Sequence, residues 1–182
     1  MTPFAFSTPA GFSTLANILT HKIDIRRAKS KDIKQIFSFI KELAKYEKLS
    51  KDVVATEKLL NDNLFGKRKY AEVLIAKFNG EDAGFALFFH NFSTFVGKPG
   101  IYLEDIYVRE NYRNKGIGKA LFIELVKLAK ERDCGRIEWS VLDWNLPSIK
   151  FYKGLGAEPM KDWTVYRLTE IQFDKLTSKK EF

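Results

Sequence analysis

Two adjacent carboxylates, Glu104 and Asp105, interrupt the otherwise apolar run Ile101-Tyr102-Leu103-Glu104-Asp105-Ile106-Tyr107-Val108. Acids in such a run need a reason to be there. Each is either neutralised by an Arg, a Lys or backbone amides, or it attracts a cationic amine and removes its proton. Period-two geometry sends the two side chains to opposite faces, which excludes a proton-sharing dyad and gives them separate tasks. Shortly after them, Arg113-Asn114-Lys115-Gly116-Ile117-Gly118-Lys119 sets two glycines ahead of an amphipathic segment that ends at Arg132. Glycines at a strand-to-helix junction either answer an ordinary left-handed turn or let several N–H groups converge on a pyrophosphate, backed by the positive end of the helix. A third constellation is Asp143-Trp144-Asn145-Leu146-Pro147-Ser148, followed by Phe151-Tyr152-Lys153 and Gly154-Leu155-Gly156-Ala157. It reads as a turn and a capped helix. There Tyr152 is either a packed aromatic with a wet hydroxyl or an acid beside a bound cofactor, with Asn145 and Ser148 as donors.

Period and punctuation supply the elements that must position these groups. Ile23-Asp24-Ile25-Arg26 alternates as an opening strand, and Ile36, Phe37, Ile40, Leu43 and Ala44 recur at helical spacing from Ile33, behind Ser30 or Asp32 as caps. A short helix over Thr56 to Leu64 precedes Gly66. Glu72 to Phe78 and Ala83 to Phe89 form a hairpin about Asn79-Gly80. After the strand Ile101 to Val108 and the glycine loop comes a helix with the stripe Ile117, Leu121, Phe122, Leu125, Leu128 and Ala129, ended by Gly135. Arg136 to Leu142 reads as a strand, Pro147 to Lys153 as a helix opening on proline, and Trp163 to Leu168 as a last strand. Hairpin strands first and alternating strands and helices afterwards indicate an α/β (α+β) domain with a mixed sheet.

Composition narrows the function. The chain has 182 residues, 45% hydrophobic and 14% aromatic, which suits one domain over residues 22–182. Residues 1–20 carry no Lys, Arg, Asp or Glu, so residues 1–21 read as a disordered extension or a mis-assigned start, and neither a secretory nor an organellar leader fits them. No run reaches the roughly 18 apolar residues of a membrane span. The single cysteine, Cys134, excludes an internal disulfide and fits a reducing, cytoplasmic setting; with only His21 and His90 beside it, there is no metal-ligand spacing. The net charge of +8 lies largely in lysines at helical spacing, such as Lys119, Lys127 and Lys130, with no basic patch interleaved with aromatics for nucleic acid.

Taken together, these residues resemble the GNAT superfamily of acyl-CoA-dependent N-acyltransferases over about residues 23–170. More narrowly, the chain looks like the spermidine/spermine branch with its diamine and thialysine relatives. The resemblance is carried by Lys41-Glu42-Leu43-Ala44-Lys45-Tyr46-Glu47, Tyr102-Leu103-Glu104-Asp105, Tyr112-Arg113 with Gly116-Ile117-Gly118, Trp144-Asn145, and Phe151-Tyr152-Lys153 with Gly156-Ala157. It implies a mixed, mostly antiparallel sheet flanked by helices, acetyl-CoA as co-substrate, no metal, and a homodimer. It also implies that the backbone of Ile106, Tyr107 and Val108 pairs with the pantetheine arm, and that Arg113, Asn114, Lys115, Gly116, Ile117, Gly118 and Lys119 cradle the pyrophosphate. Asn145 and Ser148 line the cofactor. Tyr152 is the implied acid that protonates the departing thiolate and Glu104 the implied base, while Tyr46, Glu47, Glu104 and Asp105 form the amine-binding group. Asp162 is a further candidate for that group.

The implied reaction is direct acetyl transfer, in a ternary complex, to a primary amine of a small polyamine, diamine or lysine analogue, with Cys134 uninvolved. An amine of pKa ~10.4 costs roughly 4 kcal/mol to deprotonate near neutrality, whereas a thiol of pKa ~8.5 leaves readily. Losing Glu104 should therefore hurt more than losing Tyr152. Departures from the polyamine enzymes are Ser93-Thr94 and Phe95 in the loop before the catalytic strand, while Leu142-Asp143-Trp144-Asn145 is closer to the thialysine type. Rival readings are acetylation of a protein N-terminus or lysine, a basic nucleic-acid-binding module, and a dinucleotide oxidoreductase, which would need a third glycine where Ala120-Leu121 follow Gly118.

Overall fold

The computed structural model describes residues 21–178, so the expected extension over residues 1–21 lies outside the described residues except for His21. The described residues fall into two units, the first ending at Ser140 and the second beginning at Val141.

The first unit is a five-stranded sheet in the order β1 (Ile23–Arg27), β2 (Glu72–Phe78), β3 (Glu81–Ser93), β4 (Lys98–Val108), β5 (Ile137–Trp139). Every pairing is antiparallel except β4 with β5, which is parallel. The expected hairpin turn forms at Asn79-Gly80, where both residues take positive φ, 52° and 89°. Helices α1 (Ile33–Tyr46) and α2 (Glu57–Phe65) cover one face of the sheet. Ile36 and Phe39 of α1 and Leu64 of α2 are buried against Val73, Ile75, Phe85 and Leu87. Helix α3 (Ile117–Glu131) buries the stripe foreseen in the sequence. Each fully buried large aliphatic or aromatic side chain stabilises the fold by about 1.5–3 kcal/mol, so this double-sided core fixes the path of β4.

Charge pairs fasten the helices to the sheet. Arg132, just past α3, donates to both carboxylate oxygens of Glu72, at 2.5 and 2.9 Å. Arg26 clasps Asp32 ahead of α1 at 2.7 and 2.8 Å, and that bond, with the Lys29 amide, pulls the Asp32 carboxyl down to about 2.

The second unit holds α4 (Leu146–Gly154) and α5 (Glu170–Ser178). Three expectations from the sequence are corrected. Residues 163–168 form no strand: Val165 and Tyr166 are 79% and 91% exposed, and β-prone residues without a ladder partner do not make a strand. Gly135 does not end α3 either. Asp133 does, with φ 52° and with Cys134 N–H donating to Ala129 O at 2.8 Å and Asp133 N–H to Lys130 O at 3.2 Å, a Schellman turn that a short polar residue tolerates. The strand expected over Arg136 to Leu142 shortens to Ile137–Trp139, and α5 had no counterpart in the sequence reading.

Candidate active site

Strand β4 is the spine of the site, and its pairing shows why. It pairs with β5 only at Ile101, Tyr102 and Leu103 but with β3 as far as Val108, so from Glu104 onward its other edge has no strand partner among the described residues. Arg109 N–H donates to Ala83 O at 2.9 Å, and the Tyr107 carbonyl lies against Gly84. Tyr107 and Arg109 thus direct their backbone groups toward β3, which leaves those of Ile106 and Val108 on the open edge. That edge suits an amide-bearing ligand lying alongside it.

The glycine loop follows directly. Asn114 and Gly116 both take left-handed φ, 60° and 81°, and Gly116 caps α3 without a side-chain hydrogen bond to the first turn. Backbone donors at Ile117, Gly118 and Lys119 therefore begin a fifteen-residue helix with its positive end outward. Asn114, Lys115, Gly116 and Lys119 are exposed. A pyrophosphate would find backbone donors, a helix dipole and lysine charge here without displacing a buried group, so the residues present fit that moiety. Arg113 is directed differently: its Nε donates to Val108 O at 3.0 Å, and its guanidinium lies 4.7 Å from the Tyr46 ring and 5.9 Å from the Tyr107 ring.

The carboxylates meet on the α1 face. The β3–β4 register slips by one residue: Leu103 pairs with Phe88 but Asp105 with Leu87, so Glu104 is the extra residue of a β-bulge. Strict alternation therefore fails at this point. Paired residues share a face, so Asp105 lies with Leu87, Phe85 and Tyr107 on the side covered by α1, and Leu103 lies on the other. Burial, then the charges of Glu104 and Glu47, push the Asp105 carboxyl up to about 7. Glu47 is the C-cap of α1, and burial raises its carboxyl too. Glu104 is exposed. Three carboxylates thus share one field, in which an ammonium ion would be stabilised and Asp105 would give up its proton.

The second unit holds the remaining candidates. Tyr152 lies on α4, its ring 5.3 Å from that of Phe151, and its carbonyl accepts from Leu155 and Ala157 at 3.0 and 3.2 Å. Asn145 is buried and caps α4, its Oδ1 accepting from Ser148 N–H at 3.3 Å; Pro147 sits at the second helical position, since α4 opens at Leu146. Asp162 lies in an exposed turn of this unit.

Sequence reasoning missed Glu42, Tyr107 and Arg109 as a framework. Arg109 donates to both oxygens of Glu42, at 2.9 and 2.8 Å, and to Asp82 O at 2.9 Å, while stacking 4.8 Å over Phe39. Hydrogen bonds from Arg109 and Ser38 hold the Glu42 carboxyl below its ordinary range. The signal was present in Phe39, Glu42 and Tyr46, which share one face of α1 at three- and four-residue spacing. Among the described residues there is no group of three or more His, Cys, Asp or Glu arranged to hold a metal, and no helix long and apolar enough to cross a membrane.

Comparison with known proteins agrees with this geometry. The model of the acetyltransferase (GNAT) family matches residues 33–157. The chain is 35% identical over 166 residues to the thialysine N-epsilon-acetyltransferase of Bos taurus, covering 85% of this chain and 97% of that protein. It is 33% identical over 190 residues to an L-ornithine N5-acetyltransferase of Arabidopsis thaliana, covering 80% and 83%. Among solved structures, an integron cassette protein from the mobile metagenome of V. cholerae superposes with a TM-score of 0.72 at 26% identity, covering 86% of this chain and 98% of that one. The open edge of β4, the glycine loop at the start of α3 and these matches together make the chain a member of the GNAT acetyltransferase family, an enzyme that transfers acetyl groups.

Proposed function

We propose that this enzyme acetylates the primary amine of a small diamine, polyamine or lysine-like molecule, with acetyl-CoA as donor and direct attack in a ternary complex. The observation that carries this reading is the group of Glu47, Glu104 and Asp105 beside the unpaired edge of β4. Relatives that act on thialysine and ornithine, both with an amine at the end of an aliphatic side chain, support the substrate class.

In this mechanism acetyl-CoA supplies the activated acyl group, held by the backbone of Ile106 to Val108 and by the loop Arg113 to Lys119, with Asn145 and Ser148 beside it. Tyr46, Glu47 and Asp105 orient the protonated amine. Glu104, exposed on the bulge, accepts the ammonium proton directly or through water; the C–N bond forms as the C–S bond breaks, and Tyr152 protonates the thiolate. The second proton, shed by the acylated nitrogen, returns through water to the tyrosinate, while the proton on Glu104 passes to solvent. Removing the ammonium proton is the costly part, roughly 4 kcal/mol near neutral pH for a pKa of ~10.4.

The test is coenzyme A release across thialysine, ornithine, lysine, putrescine, spermidine, spermine and a basic peptide. Amine-dependent turnover with one or more of the small amines, lowered far more by Glu104→Gln than by Tyr152→Phe, is the expected result. The Tyr152→Phe loss should stay near tenfold, because a thiol of pKa ~8.5 leaves without much help. Turnover on the peptide alone would move the enzyme to protein acetylation.

A further inference from the structure

We infer that Arg113 is a positioning residue for the amine site, tying the Tyr46–Glu47 end of α1 to the end of β4. This rests on the amine site proposed above.

The first observation is where the guanidinium goes. One edge is spent on Val108 O through Nε at 3.0 Å, and one face lies 4.7 Å from Tyr46, 67 residues earlier in the chain. The Tyr107 ring lies 5.9 Å away as well. A residue whose whole task was phosphate binding would not need its plane laid over an aromatic ring of another element.

The second observation is a repeat of the same device two helical turns away along α1. Arg109 stacks on Phe39 of α1 and grips Glu42, and Arg113 stacks on Tyr46, so two arginines four residues apart meet two aromatics seven residues apart on one face of α1. The Tyr107 ring lies between the two contacts, 6.5 Å from the Phe39 ring and 5.9 Å from the Arg113 guanidinium.

The third is the shape of the segment being held. Helix α1 ends in a Schellman turn whose left-handed residue is Lys48, φ 63°, with Leu49 N–H donating to Ala44 O at 2.8 Å and Lys48 N–H to Lys45 O at 3.2 Å. A lysine in this conformation is strained relative to glycine, so the turn that carries Glu47 depends on outside support. Arg113 supplies it at the preceding residue, Tyr46.

Arg113→Lys separates this role from phosphate binding, because lysine keeps the point charge a phosphate needs but loses the planar fork that stacks and bonds at once. The expected result is an amine KM raised about three- to thirtyfold with the acetyl-CoA KM within about twofold. Tyr46→Leu should raise the amine KM in the same range, and the double variant should be no worse than the worse single one. Hydrogen exchange gives a readout independent of turnover: the Lys48 and Leu49 amides should exchange faster in Arg113→Lys, with those of β3 unchanged. A defect confined to the acetyl-CoA KM, additive losses in the double variant, or unchanged exchange at Lys48 and Leu49 would overturn the inference. A wild-type enzyme that binds acetyl-CoA but is silent on every amine overturns the amine reading itself. Exchange at Lys48 and Leu49 then still reports whether Arg113 braces α1.

Discussion

The last turn of α1 and the first turn of α3 flank the same strand end but are built from different material. At α3 the active surface is backbone: a left-handed Gly116, no side-chain cap, and amides at the positive end of a helix whose buried stripe fixes its direction. At α1 it is side chain: Glu47 at the negative helix end, with Glu104 and Asp105 from the bulged strand. One end suits an anion and the other a cation. Their tolerance to change should differ accordingly, because the backbone site depends on φ and is largely indifferent to its exposed side chains, whereas the acidic site depends on charge and hardly on local dihedrals.

The strongest way to break this comparison is to neutralise the acidic end. Glu104→Gln should lower kcat/KM for the amine by about 10²–10⁴, the range for losing a general base, with acetyl-CoA binding by calorimetry essentially unchanged. An equal loss in acetyl-CoA affinity would mean that the two ends do not work separately.

The reciprocal substitution acts on the backbone end. Gly116 takes φ 81°, and the nearest atom to an added Cβ would be Ile23 Cδ1 at 3.9 Å, so space is available and only conformation objects. Gly116→Val should cost about 2 kcal/mol in the left-handed region, seen as a rise of about thirtyfold in the acetyl-CoA KM while the amine KM is little changed. Lys115→Ala at the next position should change that KM only about twofold, since Lys115 stacks its ammonium 5.0 Å over Phe78 and adds charge without shaping the loop. A larger effect from Lys115 than from Gly116 would reverse the picture of a backbone cradle.

The same contrast decides what could be read from the sequence. Both left-handed positions that carry glycine at a functional turn, Gly116 and Gly156, announce themselves, as do the hairpin at Asn79-Gly80 and the stripes of α1 and α3. Helices α1, α3 and α4 all end in the same turn, and only α4 places a glycine, Gly156, at its left-handed position; Lys48 and Asp133 adopt left-handed φ within the paired backbone hydrogen bonds that close the turn. The bulge at Glu104 was invisible for a related reason. Register is a property of two strands, and nothing in Leu103-Glu104-Asp105 alone says that β3 will pair two residues, Leu87 and Phe88, with Asp105 and Leu103. The Arg109 and Arg113 contacts bridge 67 positions each and depend on how α1 lies over β4, which periodicity does not specify. Residues 163–168 err the other way: a β-prone composition was legible, but a ladder partner is a tertiary fact.

The finest test of the acidic end is its proton. Asp105 has its carboxyl raised from 3.8 to about 7, so between those values the folded protein holds a proton that the unfolded chain has released. The contribution is therefore fully present below about pH 4 and is lost as pH rises toward 7, opposite in sign to an ion-paired carboxylate such as Asp32. Asp105→Asn removes this dependence. Relative to wild type it should gain about 1–2 kcal/mol of stability between pH 5 and pH 8, measured by denaturant unfolding at each pH. An ammonium ion placed beside Glu47, Glu104 and Asp105 reverses the local field and drives the Asp105 proton off. Amine binding to the wild type at pH 6.5 should thus release a fraction of a proton, read by calorimetry in two buffers of different ionisation enthalpy, and the Asp105→Asn variant should release less. Equal release from both proteins would place the amine away from Asp105, and the bulge at Glu104 would then serve the strand and not the substrate.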